Sequence, residues 1–227
     1  MTEMSVDDIR DTIRRHFDKR APTFDAGSSH DFKSPAMRKA WYDKVQAWAG
    51  ATPIDVLDCG CATGFFALIA AELGHRARGI DLSPGMVAEA RRKAAANGVA
   101  AVFLQGDATD PLIDDRSVDL ILERHLLWTL QDPATAVARW RKLLRPGGRL
   151  ISVGMDWRTL VKTTTGDDYA PFRHRLPLYG GRSAAEVVSL YEAAGYVDLR
   201  IEWLRDDVYW HDGIDVERYA IHARIPD

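Results

Sequence analysis

Cysteine is nearly absent from this 227-residue chain: only Cys59 and Cys61 occur. Two cysteines so close do not form an ordinary disulfide, and without a second Cys/His cluster they make no tetrahedral metal site. The seven histidines are scattered, with no HxxxH pair. A reducing cytoplasm and no structural metal are therefore expected. Long apolar runs are lacking as well. None approaches the ~18 residues of a membrane span, and the opening MTEMSVDDIRDTIRRHFD is too charged for a signal peptide. Nor does one sign of charge dominate, with 30 Lys and Arg against 33 Asp and Glu, a net −3. Without a basic stripe, nucleic acid is not an expected partner. No repeat or low-complexity linker divides the chain, so one domain over 1–227 is expected.

Regular punctuation is present. Ser34-Pro35, Ser83-Pro84 and Asp132-Pro133 each offer an N-cap oxygen before a proline at the first helical position. SVDD at 5–8 and SAAE at 183–186 are capping-box patterns. Asn97-Gly98 and Pro146-Gly147-Gly148 read as helix stops. Between these marks, strand-like runs at 54–58, 76–81, 101–107, 117–123, 148–155, 196–204 and 217–225 alternate with helical patterns near 65–73, 84–97, 133–145 and 183–194. Alternating units at this spacing imply an α/β fold with a mostly parallel seven-stranded sheet and helices on both faces. No helix separates the last two runs, so they are expected to close the sheet as an antiparallel hairpin. Two helices precede the first strand. Ile9, Ile13 and Phe17 form one apolar stripe, and Met37, Trp41, Val45 and Trp48 form another. They either cover the core or act as a lid on the carboxyl edge of the sheet, where α/β folds bind ligands.

Each of the first three strands ends in an acid at that edge. VLDCGCATG (56–64) places Asp58 before a turn bracketed by Gly60 and Gly64, which let a ligand approach the backbone. The second run ends in Asp81, suited to ribose hydroxyls, and the third in Gly106-Asp107-Ala108, suited to an adenine edge. Any one of these could be a tight turn or a helix cap. Together they describe a nucleoside site rich in carboxylates, poor in cations, and suited to a ligand without phosphates.

VLDCGCATG, GIDLSPGMV, LQGDATD and LLRPGGRLI resemble the ordered motifs of class I S-adenosylmethionine (SAM)-dependent methyltransferases. FDKRAPTFD and ERHLLWTLQDP are similar to the small-molecule, UbiE-like branch (methyltransferase type 11/25). The resemblance implies a Rossmann-like sheet with its closing hairpin and N-terminal lid helices. It divides the chain into a lid (1–50), a SAM-binding half (51–157) and a substrate side (158–227). It also implies a cofactor site. Gly60 and the Cys61–Ala62 backbone would line the methionine moiety, with Asp58 toward its ammonium, directly or through water. Asp81 would hold the ribose, Met86 would cover the adenine, Asp107 and Ala108 would read the adenine edge, and the Arg124 backbone would accept from the ammonium. Gly64 and Leu82 complete the set. The family usually has glycine where this chain has Ala62; alanine disfavours a positive φ, so the turn should keep its shape only if φ there is negative, and SAM is expected to bind, more weakly.

The expected activity is methyl transfer to a small-molecule O-, N- or C-nucleophile, driven mainly by alignment and water exclusion. A general base is optional, and His125, one residue past strand four, is the candidate. The family commonly has two consecutive histidines where this chain has Trp128-Thr129, which favours an aromatic wall at Trp128. Phe24 and His30 are further substrate contacts. In the stretch after strand five, Arg173, His174, Arg175 and Arg182, with Phe172 and Tyr179, are expected to form a basic, aromatic lid for an anionic or planar acceptor. The alternatives are other SAM chemistry (aminocarboxypropyl transfer or cyclisation), a non-catalytic SAM-binding regulator, and an NAD(P)-dependent oxidoreductase. The last is disfavoured because Gly60…Gly64 is not GxGxxG.

Overall fold

The expected helix starts are in place. Ser34, Ser83 and Asp132 each accept a hydrogen bond from the amide three residues on, and a proline follows each. Ser5 and Ser183 form reciprocal capping boxes with Asp8 and Glu186. The structure is a computed structural model that describes residues 5–26, 30–156, 158, 173–210, 213 and 215–227. Among these, six α-helices run over α1 (Val6–Arg20), α2 (Pro35–Ala49), α3 (Phe65–Glu72), α4 (Pro84–Ala96), α5 (Pro133–Leu143) and α6 (Ala184–Ala193). Helix α5 stops at Leu143, before the Pro-Gly-Gly expected to end it, because Leu144 already has extended backbone and begins a strand. Phe172 and much of the stretch after strand five lie outside the described residues.

Seven strands follow the expected spacing: β1 (Asp55–Cys59), β2 (Arg76–Asp81), β3 (Val102–Gln105), β4 (Val118–Arg124), β5 (Leu144–Asp156), β6 (Val197–Trp203) and β7 (Glu217–Arg224). They form one sheet in the order β3-β2-β1-β4-β5-β7-β6. The first five are parallel, and β7 runs antiparallel to both β5 and β6. The closing hairpin therefore folds back so that its second strand pairs with β5. The strand order reverses direction at β1, which opens a crevice between the turns after β1 and β4.

Successive side chains alternate across the sheet, and the core divides accordingly. Val56, Leu120 and Leu122 pack with α2 and α3 in one cluster. Leu57 and Ile121 pack with Trp140 of α5 and Tyr191 of α6 in the other. Cys59 and Cys61 are both free and buried, one in each cluster. No helix among the described residues is long and apolar enough to cross a membrane.

The two N-terminal helices divide the roles expected of them. Helix α2 covers the core. Its Trp41 is fully buried and meets Trp48, Phe65, Phe66, Tyr209 and Trp210 edge-on. Lys44 and Trp48 of α2 also donate to Glu202 of β6, which accepts from His222 of β7 as well. These bonds, with His222 contributing most, hold the Glu202 carboxyl down to about 2. Helix α1 instead sits at the carboxyl edge, where Ile9 and Ile13 pack with Leu176, Phe17, Leu82, Trp128 and Tyr179. Trp41→Ala should therefore lower unfolding stability in a denaturant titration by about 3–5 kcal/mol. Phe17→Ala, at a half-buried position on α1, should cost less than about half of that.

Candidate functional site

The carboxyl ends of β1 to β4 open into a cavity of about 440 Å³, enclosed on the far side by α1 and the turn Ala21–Ala26. That size suits a small-molecule site. Its floor is the turn after β1, where Gly60, Ala62 and Gly64 all have positive φ, +64°, +46° and +94°. The condition of a negative φ at Ala62 is thus not met. The left-handed conformation is held there because the Ala62 amide donates to Asp81 Oδ2 at 2.9 Å. At Gly60 the positive φ favours glycine, and a Cβ would lie 2.6 Å from Leu126 Cδ1, so a larger residue would also have to displace the end of that side chain. At Gly64 a Cβ would meet the Phe103 ring at 2.9 Å. Gly64 serves the packing of α3 against β3 and is not among the cavity-lining residues.

All three edge acids line the cavity. Asp58 is buried and accepts the Ala67 amide of α3 at 2.9 Å. Burial pushes its carboxyl up to about 7. Asp81 accepts the Ser83 amide at 2.9 Å besides that of Ala62, and burial pushes it up to about 6. Asp107 accepts the Thr109 amide at 2.7 Å and pairs with Arg10 of α1 at 3.1 Å. Cys61, Leu82 and Ala108 also line the cavity. Met86 does not: it is fully buried on α4, whereas Leu82 is an apolar lining residue.

At the β4 end Arg124 lines the cavity, and its side chain, where only the backbone was expected to contribute, packs against two further lining residues, Phe65 and His30. Its guanidinium lies 3.7 Å from the centroid of the Phe65 ring, and Nη2 donates to the His30 carbonyl at 3.2 Å. Burial pulls this arginine down to about 10, opposed by the negative charge of Asp58. His125 follows with φ +59°, its amide bonded to the Val153 carbonyl at 2.9 Å. Neither ring nitrogen has a hydrogen-bond partner among the described residues. Burial, then Arg124, His30 and Arg218, hold the imidazole well below its ordinary pKa, so it is neutral at pH 7. His30 stacks on Phe24 with centroids 3.9 Å apart, its Nδ1 2.9 Å from the Phe24 carbonyl. Both rings line the cavity, as does Trp128.

None of the described residues of the basic lid expected after strand five lines the cavity. Arg173 is exposed, and neither it nor Arg175 is among the lining residues. Tyr179 stands behind Trp128, edge to face at 5.8 Å, and contributes support. The expectation of a site poor in cations is corrected too, because Arg10, Arg20 and Arg124 all line it. The two from α1 were overlooked, yet they have a sequence signal. Val6, Arg10, Ile13, Phe17, Arg20 and Phe24 all line the cavity at a 4-3-4-3-4 spacing, one continuous helical stripe with two arginines in it.

Residues 57–152 match the family described as a methyltransferase domain. Curated relatives include the malonyl-[acyl-carrier protein] O-methyltransferase of Yersinia pestis, 28% identical over 66% of this chain and 58% of that protein. The aklanonic acid methyltransferase of Streptomyces sp. (strain C5) is 33% identical over 61% of this chain and 62% of its own. The demethylmenaquinone methyltransferase of Renibacterium salmoninarum is 26% identical over 93% of this chain and 89% of its own. The chain thus spans about three fifths of the first and second of these and most of the third. Among solved structures, the [4+2]-cyclase SpnF has a TM-score of 0.73 at 19% identity, covering 94% of this chain and 95% of that one. A Burkholderia thailandensis 1,6-didemethyltoxoflavin-N1-methyltransferase, with 1,6-didemethyltoxoflavin and S-adenosylhomocysteine bound, has a TM-score of 0.70 at 20% identity, covering 100% of this chain and 93% of that one. These last two likenesses are of fold. Glycine turn, edge acids, strand order and sequence match agree, and residues 57–152 are a class I methyltransferase domain of the SAM-dependent kind.

Proposed function

We propose that this chain transfers a methyl group from SAM to a small-molecule acceptor. The observation that carries the reading is the row of acids at three successive strand ends above a turn whose Gly60, Ala62 and Gly64 all have positive φ. The donor set fits the cofactor: carboxylates where a ribose and an adenine amine need acceptors, charges of both signs where an amino-acid head would lie, and no cradle for phosphates. Asp107 and Ala108 would hold the adenine, Leu82 its face, Asp81 the ribose, and Asp58 with the Gly60–Ala62 backbone the methionine. When bound, SAM supplies a sulfonium methyl that is electrophilic without further activation.

The chain's own residues then have to align an acceptor and exclude water. Trp128, Phe24 and His30 form the aromatic wall we assign to the acceptor. Arg20, close by on α1, favours an anionic or aromatic one. Among the described residues, His125 is the only histidine besides His30 that lines the cavity. A neutral imidazole can accept a proton from a nucleophile, or simply accept its hydrogen bond and orient it. We retain His125 as the candidate base on that ground. Cytoplasmic residence agrees with two free, buried thiols. The division into lid (1–50), SAM-binding half (51–157) and substrate side (158–227) remains our reading of the organisation. Because SpnF, named as a cyclase, shares the fold, transfer itself has to be assayed. A labelled-methyl screen against small acids, phenols and amines should yield a methylated product, and turnover of SAM without one would point to other chemistry.

Cofactor binding can be tested without the acceptor. S-adenosylhomocysteine should raise the melting temperature and NAD(H) should not. Asp107→Ala and Asp81→Asn should each remove most of the shift, and the opposite ligand preference would refute the reading.

The buried acids give this binding a pH dependence. Asp58 is raised to about 7 and Asp81 to about 6, so both are largely neutral at pH 5.5 and ionised at pH 8. A ligand ammonium stays charged throughout and needs the ionised Asp58. Binding should release protons, and affinity for S-adenosylhomocysteine should rise about tenfold or more from pH 5.5 to 8. Calorimetric titrations across that range should show the rise, and Asp58→Asn should flatten it.

At Ala62, glycine would relieve the left-handed strain. Ala62→Gly should stabilise the turn by up to about 1 kcal/mol and bind S-adenosylhomocysteine at least as tightly as the parent, measured by thermal shift and calorimetry.

A further inference from the structure

The order of the strands fixes the direction in which a ligand would lie. Asp107 follows β3, Asp81 ends β2, Asp58 belongs to β1 and Arg124 ends β4, and these strands are neighbours in that order. A nucleoside gripped at Asp107 and Asp81 therefore points whatever its 5′ carbon carries toward β1 and β4. Arg124 and Asp58 share a face there. Asp58 pairs in register with Leu122, two residues before Arg124, so both side chains project to the side of α3. Phe65, the first residue of α3, lies under the guanidinium at 3.7 Å. The bond from Nη2 to the His30 carbonyl orients the planar fork.

Two opposite charges thus stand at the far end of the cavity from the adenine position. Both are desolvated, with Asp58 raised to about 7 and Arg124 lowered to about 10. An α-amino acid head group is the complementary ligand, an ammonium for Asp58 and a carboxylate for the arginine fork. We propose that the Arg124 side chain recognises the carboxylate of the amino-acid moiety of SAM and its product, so that the protein selects nucleosides carrying an intact amino acid over those without the carboxylate. The proposal rests on reading the cavity as a SAM site, and it gives Arg124 a part in cofactor choice beyond its backbone carbonyl. The acceptor side lies farther along the edge, where His125 leans on Trp210 and Trp128 on Tyr179.

The test is a cycle over one protein group and one ligand group. Affinities are measured by calorimetry for S-adenosylhomocysteine and for its decarboxylated analogue, S-adenosyl-3-thiopropylamine, which keeps the ammonium. The proteins are the wild type, Arg124→Met, Arg124→Lys and Arg20→Met. The wild type should prefer the carboxylate-bearing ligand by about tenfold or more. Arg124→Met should lose that preference while binding the analogue within about twofold of the wild type, a result that also reports an intact fold. Arg124→Lys should fall between, keeping the charge without the fork. Arg20→Met should keep the preference. Equal weakening of both ligands in Arg124→Met, a preference erased by Arg20→Met instead, or no preference in the wild type would each overturn the assignment and leave the cofactor reading standing. A wild type that binds neither ligand would refute the cofactor reading and the assignment with it.

Discussion

The bond from the Ala62 amide to Asp81 Oδ2 ties the end of β1 to the end of β2, and the geometry of the site depends on it. A left-handed alanine costs about 1–2 kcal/mol. A hydrogen bond to a charged acceptor contributes about 1.5–3 kcal/mol, enough to hold the turn while Asp81 is ionised. The same carboxylate accepts the Ser83 amide, which sets the entry to α4. Asp81 is therefore a structural anchor before it meets any ligand. Its two oxygens already face backbone donors, so a ribose hydroxyl would add a third donor to an acid whose ionised form is short of them. A ligand held by Asp81 would be coupled through this one group to the shape of the turn.

Helix α1 closes the site with polar contacts near the surface. Besides the Arg10–Asp107 pair, Asp18 accepts from Ser83 Oγ at 2.5 Å and from the Gly85 amide at 3.0 Å, and Gln131 donates to the Val6 carbonyl at 3.0 Å. Half-exposed ion pairs of this kind contribute little singly. The apolar part of the attachment is only the small cluster around Ile9 and Ile13. By contrast, α2 is fastened by a fully buried tryptophan and the Glu202 network. A chain that must admit a ligand to an enclosed cavity needs one wall that opens more readily than the core, and α1 has the attachments of such a wall.

The fold was legible because its signals are local. Caps, prolines and alternating apolar runs specify their own segments, and the strand bounds fell within two residues of those expected except at β5, which starts four residues earlier. The acids were legible for a related reason: a residue at a strand's carboxyl end has little choice of where to be. What was misread depends on direction in three dimensions. Met86 lies one turn into α4, and whether it faces the cavity or the sheet is decided by helix packing, which buries it. The sign of φ at Ala62 follows from an acceptor nineteen residues away. Arg173 and Arg175 looked like a lid because they cluster in sequence, whereas the cations that line the cavity are spread over Arg10, Arg20 and Arg124. For Arg124 a local signal did exist. It has the parity of Leu120 and Leu122, so its side chain had to share the Asp58 face.

A buried acid and a buried arginine on that face, each desolvated, do not make a stable arrangement for its own sake. Replacing such pairs by apolar residues is often neutral or stabilising, and the cluster around Phe65, Trp41 and Phe66 would accept an apolar neighbour. Their retention in the cavity wall is understandable if a ligand adds charges complementary to both. In that case the free protein carries part of the desolvation cost of both groups in advance, and binding recovers it. Affinity then resides at the charged end of the ligand, while the adenine end supplies register through Asp107 and the backbone after β3. Because the charged end lies beside Gly60 and His125, the strongest hold falls next to the reacting atoms, where a small misplacement is most damaging to in-line transfer.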